Sequence, residues 1–213
     1  MILWFATNNA HKKIELEACI KGFLNEHSLP PDITVKIPSD EGISFDPLET
    51  SSAFSENSLL KARELHKLLL KQERGGEPVI ADDSGLCVDS LDGRPGVLSA
   101  RYGTVNGKKL ESREQNQLLL KELDDNKNRN ARFVCAMVLL FSFDRFILAQ
   151  ETIEGEIVTK DKIKGGLGFG YDPVFFIPEK GRTLAELSTE EKNKISHRGK
   201  AVKNICKYLY GKF

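Results

Sequence analysis

The 213-residue chain is 40% hydrophobic and 29% charged, an ordinary balance for a folded domain and too apolar for a disordered one. Its 31 Lys and Arg offset its 31 Asp and Glu, so it has no cationic surplus with which to grip a nucleic-acid backbone. The longest wholly apolar run, residues 133–141, is less than half of the roughly 20 residues needed to span a bilayer.

In chain order, an apolar run over residues 2–6 predicts a first strand, not a signal peptide, because no basic segment precedes it and no small-residue cleavage site follows. Leu16, Cys19, Ile20 and Phe23 repeat at helical spacing, and Pro30-Pro31 ends that helix. Ile33, Val35 and Ile37 alternate as a half-buried strand does. A second helix is predicted over 54–71, with Ser58, Ala62, Leu65 and Leu69 on one face, closed by Gly75-Gly76. Residues 79–81 form a buried strand, with 86–88 as its return or continuation, before a turn at Gly93, Pro95 and Gly96. A polar helix follows over 108–123. The strand over 133–141 is apolar on both faces, hence central, and 146–158 reads as its hairpin partner. Beyond the glycines of 165–170, residues 174–177 form another strand, and Ser188 with Glu191 has capping-box spacing. The last helix turns Ala201, Ile205 and Leu209 inward and stops at Gly211. The expected class is α/β: one domain over 1–213 in two lobes, with an elongated mixed sheet, flanking helices and a central cleft. Cys19, Cys87, Cys135 and Cys206 lack any zinc or CxxC spacing, so reduced thiols in the cytoplasm are expected.

Three stretches could carry chemistry. Residues 6–12 (ATNNAHK) lead from a strand end into a helix start, where free N–H groups and Lys12 attract an anion; the same spacing also fits a plain helix capped by Asn9, with Lys12 in solvent. Asp82 and Asp83 abut a buried strand. Neighbours on a strand point to opposite faces, so one can serve as a ligand for Mg²⁺ and the other as its support; a turn bonding its own backbone is the alternative. Gly168, Phe169, Gly170, Tyr171 and Asp172 offer close backbone approach and a flat ring. Lys192, His197 and Arg198 supply donors for a carbonyl-bearing base or a phosphate, while core aromatics and a satisfied helix-end histidine would look the same.

The strings ADDSGL (81–86), PGVLSARY (95–102), GFGYDPVF (168–175) and EKNKISHRG (191–199) occur in this order, with TNNAHK (7–12) ahead of them. Together they resemble the inosine triphosphate pyrophosphatase family, which hydrolyses non-standard purine nucleoside triphosphates. The resemblance implies hydrolysis of ITP, dITP and XTP to the monophosphate and pyrophosphate, one Mg²⁺ per site, and a homodimer. It implies that Thr7, Asn8, Asn9 and Lys12 bind the triphosphate, that Glu49 and Asp83 hold the metal, and that Lys61 adds a phosphate contact. Asp83 is then also the proton acceptor and Ser84 a substrate contact. Phe169 stacks on the base beside Gly170, Tyr171 and Asp172, and Lys192, His197 and Arg198 read the base or close over it. Asn8 and His11 stand where the family often has glycine, as does Ser51, which bears on loop geometry. A pyrophosphatase for modified pyrimidine nucleotides and a non-catalytic nucleotide-binding module are the alternatives.

Overall fold

Continuous apolar runs form the central strands, whose two faces bury different sets of side chains. In the computed structural model, which describes residues 1–104, 106–160 and 170–211, seven strands form one mixed sheet in the order β2-β1-β3-β4-β5-β6-β7. The strands are β1 (Ile2–Phe5), β2 (Thr34–Lys36), β3 (Val79–Val88), β4 (Asn130–Ser142), β5 (Arg145–Ile157), β6 (Phe175–Ile177) and β7 (Arg182–Thr183). The helices are α1 (Ala10–Glu26), α2 (Phe54–Leu70), α3 (Ser112–Leu123), α4 (Thr189–Ile195) and α5 (His197–Leu209). β1 pairs in parallel with β2 and β3, whereas β6 is antiparallel to both β5 and β7.

The described chain divides into two compact units. The first comprises Met1–Asp83, Cys135–Glu151 and His197–Phe213. Its sheet is buried on both faces. Leu3, Phe5, Ile80, Cys135, Met137 and Leu139 pack with α1 and α5, while Trp4, Ala6, Val79, Ala81, Val138 and Leu140 pack with α2. Each strand thus alternates strictly between the two cores, as the period of two demands. Covering both faces with helices explains why these strands read as continuous apolar runs.

The second unit comprises Ser84–Val134 and Thr152–Ser196. Its core joins Leu86, Val88, Leu119, Leu123, Phe133, Ile153, Ile157 and Phe175. Gly155 permits the close approach of β5 to β6: a Cβ there would lie 2.4 Å from the Phe176 carbonyl and 2.6 Å from the Phe175 ring.

The expected helices and strands are present. Residues 79–88 are a single ten-residue strand, so 86–88 is the continuation of 79–81 and not its return, because Asp82 and Asp83 find partners on the helices instead of their own backbone. Three elements differ from expectation. α3 begins at Ser112, not 108, since the capping box sits at Glu111 and Glu114. β6 starts at Phe175, after a 3₁₀ turn over Asp172–Val174. β7 is too short for any alternation to announce it. The Ser188 capping box stands as expected, and all four cysteines are free thiols. Among the described residues, no helix is long and apolar enough to cross a membrane.

Candidate active site

The alternation of β3 continues past its apolar residues. Ile80 faces α1 and α5, Ala81 faces α2, and the next two residues follow the same parity. Asp82 therefore meets α1 and α5. Its Oδ1 accepts from Lys12 Nζ at 2.8 Å, and its Oδ2 from Arg198 Nε and Nη2 at 3.3 and 3.2 Å. Arg198 also donates to Glu15. Asp82 is only 1% exposed, so burial opposes its charge. Lys12, Arg198 and Lys61 outweigh that opposition and hold its carboxyl far below the usual carboxylate range.

Asp83 meets α2. Its Oδ2 accepts from Asn57 Nδ2 at 3.0 Å, and its Oδ1 lies 3.7 Å from Lys61 Nζ. The same ammonium donates to Glu49 Oε1 at 2.6 Å, so Glu49 and Asp83 converge on one cation although 34 positions separate them in sequence. Burial raises the Asp83 pKa, and the attraction of Lys61 and the Asn57 hydrogen bond offset this only in part. For Lys61, burial disfavours the charge, but Asp82, Asp83 and Glu49 together raise its pKa. The two neighbouring carboxyls are therefore shifted in opposite directions by opposite faces of one strand.

The loop over residues 7–12 is organised from within. Asn9 caps α1, accepting from the His11 and Lys12 N–H groups, and Thr7 Oγ1 accepts from Asn9 N–H. Asn8 donates to the Phe45 carbonyl and has no positive φ, so the left-handed backbone that would favour glycine is not used there. The capped-helix alternative thus holds for Asn9 but not for Lys12, which is tied to Asp82 instead of lying in solvent. An ammonium has three donors, and Asp82 accepts from one of them. Ser51, at another glycine-frequent position, donates its N–H to Asn57 Oδ1.

In the second unit, the turn after the glycine-rich stretch is pinned from three directions. Asn116 of α3 donates to the Gly170 carbonyl at 3.0 Å, the buried Tyr171 hydroxyl donates to the Ser99 carbonyl at 2.9 Å, and Lys192 Nζ lies 2.6 Å from Asp172 Oδ2. Ser99, within PGVLSARY, in turn accepts from Leu86 N–H and donates to the Gly96 carbonyl. That motif is a strut beneath the turn. Ser84 is half-buried on β3, and His197 is buried at the start of α5. Gly168 and Phe169 lie outside the described residues. The structure thus brings Lys12, Glu49, Lys61, Asp83 and Arg198 together in the first unit with Asp82, and Gly170, Tyr171, Asp172 and Lys192 in the second. Sequence reasoning missed Asn57, Ser99 and Asn116. All three are buried polar side chains, and the sign available was a polar letter on an otherwise apolar face.

Among the described residues, no group of three or more His, Cys, Asp and Glu could hold a metal ion. A two-carboxylate seat is a different case. A hard divalent cation takes one or two carboxylates and completes its shell with water and phosphate oxygens. Glu49 and Asp83 fit that demand, and the Lys61 ammonium between them shows that positive charge is stabilised there.

The Ham1 family model matches residues 3–208. The chain belongs to the Ham1 family. A dITP/XTP pyrophosphatase from Treponema denticola is 44% identical over 99% of this chain and the whole of that protein. Another from Clostridium perfringens is 41% identical, covering 97% of this chain and 96% of the relative. Among solved structures, the Staphylococcus aureus Ham1 protein superposes with a TM-score of 0.81 at 34% identity, each chain fully covered. The Coxiella burnetii HAM1 protein gives 0.82 at 32% identity, with 99% of each chain covered. The seven-stranded mixed sheet with its flanking helices is thus a Ham1 fold, and the acidic pair in the middle of β3 lies well inside the matched region.

Proposed function

We propose that this Ham1 protein is a Mg²⁺-dependent nucleoside triphosphate pyrophosphatase. Its substrates are the deaminated purine nucleotides ITP, dITP and XTP, cleaved to the monophosphate and pyrophosphate, which keeps the nucleotide pool free of them. The observation that carries this reading is the convergence of Glu49 and Asp83 on Lys61, beside an Asp82 that anchors Lys12. Relatives named dITP/XTP pyrophosphatase over the full chain support it.

Glu49 and Asp83 would hold the metal, which when bound neutralises charge on the phosphate oxygens. In the hydrolytic step a water oxygen forms a bond to the α-phosphorus while the bond from that phosphorus to the α,β-bridging oxygen breaks. The water proton passes to Asp83, and the electron pair leaves with pyrophosphate. A carboxyl whose pKa is raised by burial accepts a proton more readily than an exposed one. Lys12 and Lys61 stabilise the charge that grows on the departing group. The fixed negative charge of Asp82 holds Lys12 in place for that task.

Base choice follows from hydrogen-bond polarity. Hypoxanthine and xanthine present a carbonyl at purine position 6, which accepts from donors such as Lys192, His197 or Arg198. Adenine presents an amino group there, and each donor left unpaired against it costs about 1–3 kcal/mol. Homodimerisation and a cytoplasmic setting belong to the same reading, the latter supported by the four free thiols.

The deciding assay measures Mg²⁺-dependent pyrophosphate release from ITP, dITP, XTP and the four standard nucleotides. The expected result is release from the first three with little from ATP. Preference for modified pyrimidine nucleotides, or binding without turnover, would overturn the proposal.

A further inference from the structure

Asn57 takes no part in the chemistry above, yet it is 0% exposed and its amide is fully engaged. Its Oδ1 accepts from the Ser51 N–H at 3.0 Å, while its Nδ2 donates to the Ser51 carbonyl at 3.1 Å and to Asp83 Oδ2 at 3.0 Å. An asparagine amide has two donor hydrogens and one acceptor oxygen, and all three are used. The paired bonds to Ser51 imitate one rung of a strand and fix the backbone two residues after Glu49. The third bond fixes Asp83. One side chain thus grips both segments that carry the carboxylates.

Its neighbours on α2 reinforce the arrangement. Ser58 Oγ donates to the Ala81 carbonyl at 3.0 Å, and Lys61, one turn further, bridges Glu49 and Asp83. Neither an aspartate nor a leucine could replace Asn57: the first lacks donors and would repel Asp83, and the second could make none of the three hydrogen bonds. With Oδ2 of Asp83 taken by Asn57, Oδ1 is the oxygen nearer Lys61.

We infer that Asn57 is the positioning residue of the Glu49–Asp83 pair, setting both carboxylates for a divalent cation before any nucleotide arrives. This rests on the reading of that pair as the metal seat. Partners that hydrogen-bond a metal-ligating carboxylate orient it, and losing one weakens metal binding by about 10–100-fold.

The test compares wild type, Asn57→Ala, Asn57→Leu and Asp83→Asn for Mn²⁺ binding, followed by electron paramagnetic resonance in the presence of a non-hydrolysable ITP analogue. Thermal melting is recorded alongside. Both Asn57 variants should bind Mn²⁺ about 10–100-fold more weakly, and their turnover should recover as Mg²⁺ is raised, which a purely structural defect would not do. Mn²⁺ binding equal to wild type in a folded Asn57 variant would overturn the proposal while leaving the metal seat intact. Equal binding by wild type and Asp83→Asn would instead overturn the metal seat, and the role of Asn57 with it. Should both Asn57 variants fail to fold, the side-chain amide signals of Asn57 in the ¹⁵N-labelled wild type decide. They should shift on Mg²⁺ titration, and unmoved signals would refute the role.

Discussion

Asp82 and Asp83 are the same residue type, adjacent on one strand, and the fold treats them in opposite ways. Lys12 and Arg198 surround Asp82 and keep it ionised, whereas Asp83 sits in a poorer cationic environment that makes its charge costly. Asp83→Asn should lower kcat by about 10²–10⁴-fold, the range for loss of a general base. It should not weaken the fold. A carboxyl whose folded pKa is raised loses stability as pH rises through the range between its unfolded and folded values, so at pH 7 the wild type bears a loss that the amide avoids. Urea unfolding at pH 7 should place the variant midpoint at or above that of wild type. Asp82→Asn is the opposite case. Removing one member of a buried charge cluster leaves its partners uncompensated, at about 3–5 kcal/mol, and the same unfolding measurement should show a large drop. Chelation with EDTA should abolish turnover and added Mg²⁺ restore it; full activity of the stripped protein would count against Glu49 and Asp83 as ligands.

At the scale of the element, β3 carries two assignments that depend on parity alone. A shift of one residue in its register would present Asp83 to Arg198 and take Asp82 to α2. This dependence was legible in advance, because alternate side chains must face opposite ways. The continuity of β3 was not: Asp-Asp-Ser-Gly is also turn chemistry, and only the partners on α1, α2 and α5 decide between the two. Helix starts were readable where a capping box stood in the letters, as at Ser188, and misplaced where the box at Glu111 went unread. Asn57 was missed because a polar residue in a first helical turn looks solvated until the segment that buries it is known. In α3, the neighbouring Gln115 and Asn116 each secure one distant carbonyl, of Tyr102 and Gly170 respectively. Asn116→Ala should cost about 1 kcal/mol of stability for the lost hydrogen bond. On the reading that this turn helps to bind the base, it should also raise KM for ITP more than it lowers kcat, since it frees the Gly170 carbonyl; an unchanged KM would remove that turn from substrate binding.

At the scale of the whole molecule, the acid limb of stability should fall in two stages. Burial lowers the pKa of His66, so the unfolded chain takes up that proton first and stability declines below about pH 6.5. Asp82 is the reverse type of group. Its depressed pKa contributes stability above the unfolded carboxyl value, and that contribution is lost as pH falls below about 3.9. Denaturant midpoints measured from pH 8 to pH 3 should show both declines, and His66→Gln should remove only the first. The mixed sheet and the order of elements could be read from the letters, because apolar periodicity is local, and Lys12 and the Asp82-Asp83 pair stood out as charged candidates in their local motifs; Glu49 and Lys61 came only from the resemblance to a known family. The struts beneath them, at Asn57, Ser99 and Asn116, join residues distant in sequence.

The carboxylate of Asp82 also sets a timetable. Arg198 lies 116 positions after Asp82, and the first unit is assembled from three separate stretches of chain. On the ribosome, Asp82 is made 116 residues ahead of the guanidinium that completes its cluster with Lys12. Contacts of such long separation close slowly. A nascent chain stalled before α5 would therefore hold Asp82 without Arg198, and α5 is the helix that locks α1 to β3.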